Sequence, residues 1–258
     1  MKWKTLIGVV LTLTMLLIYL VVSTGFAKIK QQDLVCNELR ITVCDSLKYN
    51  FIRPADIKAI LASERIKTIG ERMYSINTYD ITQLLNTRNV IKNAAVFTSI
   101  DGVLHIDVYQ RRPIMRVQTA IGSFYIDESG YIFSLSGAQA ANIPIVTGKV
   151  PMNIPVGFQG DIPQDETFLQ QAYQLALYLD ENSLWQSQIA RLDVASAANV
   201  RIIPKEGAQI IYIGSLDDYQ YKFRKLSAFY SHVCLPDDST YASVDLRYSN
   251  QIVCKKRK

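Results

Sequence analysis

With 258 residues, 49% of them apolar and 20% charged, the chain is long enough for one or two folded domains and too apolar to be disordered. Its formal charge of +5 does not point to nucleic acid. Eight basic residues lie near the ends (Lys2, Lys4, Lys28, Lys30, Lys255, Lys256, Arg257 and Lys258), and without them 20 basic residues face 23 acidic ones, whereas a nucleic-acid surface needs a concentrated basic face.

From Thr5 to Ala27 the chain reads TLIGVVLTLTMLLIYLVVSTGFA, without a charge. As a helix rising ~1.5 Å per residue this stretch spans about 34 Å, enough for a hydrocarbon core of ~30 Å. Trp3, Tyr19 and the flanking lysines suit headgroup levels. A cleaved signal peptide is the alternative, but its apolar core of about 7–15 residues would be shorter. The expectation is a retained single-pass anchor over 5–27, with residues 1–4 as a short cytoplasmic tail. Two lysines on each side nearly cancel, and only the terminal amine favours a cytoplasmic N-terminus.

After the anchor, ELRITV (38–43) reads as a strand. RPADIKAILAS (53–63) opens with Pro54 near a helix N-terminus and puts Ile57, Ile60 and Leu61 on one face. In NTYDITQLLNTRN (77–89), Asn77 or Thr78 caps and Ile81, Leu84 and Leu85 face inward. Asp101-Gly102 between two alternating runs is a hairpin signal, with Leu104, Ile106 and Val108 alternating against Val103, His105, Asp107 and Tyr109. A three-stranded sheet with two helices on one face is the compact solution for the order β-α-α-β-β.

Past Pro113 the chain becomes strand-rich. Asp127-Glu128-Ser129-Gly130 reads as a turn between SFYI and YIFSL, NIPIVTGKVP follows, and NIPVGFQGDIPQ is loop-like. A helix begins with Asp165 and Glu166 in its first turn and buries Phe168, Ala172, Leu175, Ala176 and Leu179. IARLDVA, NVRIIP and AQIIYIG read as strands, and a second helix from about Leu216 to His232 carries Tyr219, Phe223, Leu226 and Tyr230 at helical spacing. Lys222, Arg224 and Lys225 fall mostly on its other side. The last stretch, YASVDLRYSNQIVCKKRK, alternates Val244, Leu246, Tyr248 and Ile252 against Asp245, Arg247, Ser249 and Gln251, the pattern of a half-buried terminal strand with one edge to spare. The fold class is therefore α+β: one membrane helix, a β-α-α-β-β domain, then a mixed, mainly antiparallel β domain with two helices.

Catalytic chemistry finds no footing. Asp127 and Glu128 are adjacent and point to different faces, and TGKV (147–150) lacks the rest of a phosphate loop. His105 and His232, the only histidines, make a Ser-His-Asp or zinc site improbable. Of the four cysteines, Cys36 and Cys44 would stand about 26 Å apart in one straight strand, beyond disulfide reach. A bridge between Cys234 and Cys254 and small buried thiols both remain open. No cofactor or metal is expected.

Five ordered stretches resemble the FtsQ/DivIB family of bacterial cell-division proteins: AAVFTSIDGVLHIDVYQRRPIMRV (94–117), SFYIDESGYIFSLS (123–136), IPIVTG (143–148), IGSLDDYQYKFRKLSAFY (213–230) and VDLRY (244–248). The first ends in the family's charged-x-Pro handover between domains, the second resembles its D-x-x-G-x-x-F turn, and the last its terminal strand. The chain departs from the family at Cys44-Asp45, where a Gly is usual, and at Asp101-Gly102, where a Pro is common. The short tail also leaves little for a cytoplasmic partner to hold. The resemblance implies a POTRA domain over 33–112, an FtsQ-type β domain over 113–254 and a basic tail over 255–258. It implies a non-enzymatic inner-membrane scaffold of the division septum, its bulk periplasmic, that binds FtsB, FtsL and other divisome components and so connects to septal peptidoglycan synthesis. The terminal strand would accept a strand of FtsB, which places partner binding on Val244, Asp245, Leu246, Arg247, Tyr248, Ser249, Asn250, Gln251 and Ile252. Tyr248 is either a hot spot of that interface or, by its parity with Val244 and Leu246, a core residue. Other readings are an export or assembly factor, which would usually carry tandem POTRA repeats, and an anchored hydrolase, which would need a convergent polar pocket.

Overall fold

A computed structural model describes residues 3, 8, 11–22, 34–44, 51–135, 142–207, 209–233 and 240–257. The chain divides into two compact units, Met1–Gln110 and Arg111–Lys258.

In the first unit residues 11–22 form helix α1, whose Leu11, Leu13, Met15, Leu16, Leu17 and Ile18 are all exposed. Most of the rest of the span expected over 5–27 lies outside the described residues. Twelve helical residues rise about 18 Å, and among the described residues no helix is long and apolar enough to cross a membrane. There follow β1 (Glu38–Val43), α2 (Pro54–Ser63), a 3-10 turn (Met73–Ser75), α3 (Thr78–Asn86), β2 (Ile91–Thr98) and β3 (Val103–Gln110). The sheet order is β1-β3-β2, parallel between β1 and β3 and antiparallel between β2 and β3.

Local chemistry explains these elements. Pro54 occupies the first turn of α2, where an N–H has no helical partner to lose, and the Asp56 carboxylate accepts from the Arg53 N–H at 2.8 Å. Asn77 caps α3 through its Oδ1, which accepts from the Asp80 N–H at 3.2 Å. Ile57, Leu61, Ile81 and Leu85 meet Leu104, Ile106 and Val108 of β3 in one core. The β2–β3 loop is four residues, Ser99 to Gly102, and Gly102 is required in it: φ is +82°, and a Cβ there would stand 2.8 Å from the Val35 carbonyl oxygen.

The second unit contains β4 (Pro113–Thr119), β5 (Gly122–Asp127), β6 (Tyr131–Phe133), β7 (Ile145–Gly148), β8 (Gly160–Asp161), α4 (Thr167–Glu181), α5 (Ser183–Gln188), β9 (Ile189–Ser196), β10 (Asn199–Pro204), β11 (Ile210–Gly214), α6 (Tyr219–His232), β12 (Tyr241–Asp245) and β13 (Val253–Lys256). Among the described residues these strands form one ten-stranded sheet, ordered β13-β12-β11-β10-β9-β7-β4-β5-β6-β8. Pairs β4–β7, β7–β9 and β11–β12 are parallel and the remainder antiparallel. Residues of alternate parity (Val117, Val146, Leu192, Val194, Ile202, Ile211 and Val244) join the stripes of α4 and α6 in a single core.

Three expectations change. Asp165 and Glu166 precede α4, and the Glu166 Oε1 instead accepts from the Asn153 N–H at 2.7 Å. The six residues of α5 make a third helix, held by Trp185, whose ring meets Phe223 edge-on at 5.0 Å; one turn is too short to carry a helical period in sequence. The second long helix starts at Tyr219 rather than near Leu216, after Asp218 in a left-handed conformation.

The family-like handover at Arg111-Arg112-Pro113 becomes an electrostatic clamp. Asp127 is fully buried, and its carboxylate accepts from Arg111 Nη1 at 2.8 Å, the Ser129 N–H at 2.9 Å, the Ser129 hydroxyl at 2.6 Å and the Tyr131 N–H at 3.0 Å. The Arg111 guanidinium lies 3.6 Å above the centre of the Tyr131 ring, and Arg112 pairs with Asp180 at 2.7 Å. The Asp127 turn is thus a buried ion pair, not a general acid–base pair.

A candidate protein-docking edge

The expected single terminal strand is two strands and a loop. β12 ends at Asp245, the chain turns through Leu246–Ile252, and β13 returns antiparallel with Val244 opposite Cys254 and Asp245 opposite Val253. On its other side β12 runs parallel to β11, pairing Ile211 with Val244 and Tyr212 with Asp245. The edge expected to be free on the VDLRY strand is therefore occupied, and the strand that ends the sheet is β13. The run expected to be a basic tail supplies part of it, since Lys255 and Lys256 belong to β13.

The nine residues of the expected docking strand separate by role. Val244 and Leu246 are buried. The period of two stops there, because the chain leaves the sheet after Leu246, whose N–H still donates to the Tyr212 carbonyl at 2.9 Å. Tyr248 lies on the loop and is 48% exposed, so it is a surface residue and not a core one. Arg247, Ser249, Asn250 and Gln251 are exposed, while Ile252 packs partly against the core. Arg247 is engaged within the chain. Its Nε lies 2.9 Å from Asp245 Oδ1, its Nη2 2.6 Å from Asp245 Oδ2, and its guanidinium 5.4 Å from the centre of the Tyr212 ring. Burial pushes the Asp245 carboxyl up, but hydrogen bonds and charge from Arg247, with Lys225, outweigh it and hold the group below its ordinary value.

The loop is held by a lysine that its helical position suggested was solvent-facing. Lys225 of α6 donates to the carbonyls of Leu246 (3.0 Å), Tyr248 and Gln251 (3.5 Å). One turn earlier on the same face, the Tyr221 hydroxyl donates to the Ser249 carbonyl. Burial lowers the pKa of Lys225, and the Asp245 carboxylate opposes that shift. The clue in sequence was the i, i+4 spacing of Tyr221 and Lys225; what they hold is only visible once the chain end folds over α6.

Nothing described assembles a catalytic centre. Ser99 lies 3.2 Å from His105 Nε2 and also bonds to Asp101, but in that chain the serine stands between the other two groups, the reverse of a relay that activates it. A cavity of about 330 Å³ lined by Trp185, Ile189, Ile211, Leu226 and Tyr230 includes one carboxylate, Glu206, and no histidine, cysteine or lysine. Among the described residues no three His, Cys, Asp or Glu side chains group as metal ligands. Cys36 is a buried free thiol and Cys44 an exposed one, while Cys234, and with it the pairing considered with Cys254, lies outside the described residues.

What the arrangement offers is a sheet end, a half-exposed tyrosine and a braced loop, the parts of a protein-binding surface. No curated protein matches the chain. Residues 34–109 match a POTRA-like domain, and residues 112–255 match the family model FtsQ/DivIB, C-terminal related. That second match covers more than half of the chain and takes in β12, the loop and β13 as far as Lys255, and by it the chain belongs to the FtsQ/DivIB family.

Proposed function

We propose that the protein is a non-enzymatic scaffold of the bacterial divisome, anchored in the inner membrane by residues 5–27 with the bulk of the chain periplasmic. It captures FtsB- and FtsL-like single-span coiled-coil proteins and so links septum assembly to septal peptidoglycan synthesis. Docking uses strand addition at the C-terminal end of the ten-stranded sheet, with residues 244–252 forming the surface. The observation that carries this reading is the terminal β12–loop–β13 unit, which ends the sheet among the described residues beside the exposed Tyr248. Backbone pairing supplies affinity there and the loop side chains select the partner.

The test is capture of the purified FtsB- and FtsL-like proteins of the same cell by the full-length chain. Wild type binds, a chain ending at Tyr241 does not, and Tyr248→Glu weakens capture several-fold. Tyr248 is half exposed, so this variant keeps its fold, as circular dichroism will verify. Equal capture by wild type and folded Tyr248→Glu, or none by wild type, refutes the reading.

A further inference from the structure

The strand that ends the sheet is poorly suited to accept another. β13 has four residues, of which Val253, Lys255 and Lys256 are exposed and only Cys254 is half-buried against the core. Lysines on an edge strand discourage further pairing, and here two stand in succession, followed by Arg257. β12 is the opposite. Its Val244 is fully buried, it is fixed on its far side by β11, and the loop after it is braced to α6 by Lys225 and Tyr221 up to Gln251. The contacts from Lys225 and Tyr221 stop at Gln251, and past β13 the Arg257 N–H donates to the Thr240 carbonyl at 2.9 Å. Giving up that bond and its pairing with β12 lets β13 lift away from Val253 onward while the edge of β12 keeps its shape.

We propose that β13 is an internal stand-in for a partner strand: the acceptor surface is the edge of β12, and a partner binds by displacing β13 rather than by adding outside it. This rests on the docking reading and specifies its route. The occupant is an extended segment of another protein that adopts the antiparallel register of β13, with an aliphatic or aromatic side chain in the place of Cys254, opposite Val244. Such a segment buries more apolar surface than a cysteine does, which gives it the advantage in the exchange. Because the competent state is the one with β13 released, the apparent affinity falls by the fraction of time the edge is open, and β13 sets the threshold for docking. Short strands with few buried apolar contacts open at low cost, so the threshold is small enough to be crossed.

The experiment uses two probes. The first is a fluorescent peptide of residues 251–258 carrying Cys254→Leu, read by anisotropy. The second is the capture assay with the FtsB- and FtsL-like proteins. In a Cys254→Ser background, Ser243→Cys and Lys255→Cys stand opposite each other on β12 and β13 and lock the strand when oxidised. A chain of residues 1–251 removes it. We expect the shortened chain to bind the peptide at least tenfold more tightly than wild type. The oxidised lock should lose both peptide and partner, and reduction should restore both. Peptide or partner binding by the oxidised lock equal to that of its reduced form overturns the exchange, and capture of partner by that locked chain leaves docking on the outer edge of β13. Peptide exchange without capture of partner by any variant leaves the exchange standing and refutes the docking reading. The lock and its reduced form share one sequence, so the comparison holds even if the shortened chain fails to fold.

Discussion

Replacing Lys225 by Met keeps the length of the side chain and deletes the ammonium that gathers three carbonyls of the loop. Its bond to Leu246 is 3.0 Å, it also donates to Tyr248, and the third, to Gln251 at 3.5 Å, is at the limit. A hydrogen bond to a charged group contributes about 1.5–3 kcal/mol net when buried. Lys225 is half-buried and two of its three bonds, to Tyr248 and Gln251, are exposed, so the total loss is about 1–2 kcal/mol. The loss is local, since the core beneath α6 (Phe223, Leu226 and Phe229) is untouched. It should raise amide exchange through opening of residues 246–252 by about 5- to 30-fold. Hydrogen-exchange mass spectrometry reads this directly, with β9 and β10 as internal controls. Unchanged exchange over 246–252, or an equal rise in β9 and β10, would refute the view that Lys225 braces this loop in particular.

Asp127→Ala strands the Arg111 guanidinium and two backbone N–H groups in the second unit, a loss of about 3–5 kcal/mol. For a unit of this size that lowers the melting transition by about 6–20 °C, measurable by calorimetry on the full chain; a shift under 2 °C would contradict the clamp. Asp245 gives a pH dependence. Its folded carboxyl sits below its ordinary value, so its stabilising share is complete above about pH 4 and is lost as the pH falls through the folded value. Urea midpoints should decline as the pH falls below about 4, and less steeply in Asp245→Asn; parallel curves would show that the Arg247 pair contributes nothing.

The elements that repeat a period were legible in sequence. β1, β9, β10, α3 and the inward stripes of α2 and α4 follow directly from apolar residues spaced by two or by three and four, because a one-sided core imposes that spacing on any element that packs against it. Six-residue α5 escaped because it has no room for a period, and its place is decided by Trp185 entering the aromatic cluster of α6. Charged groups were the least legible. Asp127 reads in sequence as a polar turn residue and Lys225 as a solvent-facing one, yet each meets partners far along the chain: Arg111 for the first, the carbonyls of 246–251 for the second.

The chain end divides along the same line. Sequence by itself determined that Val244 and Leu246 face a core, because burial parity is a local property. Whether a strand has a neighbour is not local. Hydrogen-bond pairing joins segments by position in space, and only the tertiary structure could place β11 on one side of β12 and fold VCKK back onto the other.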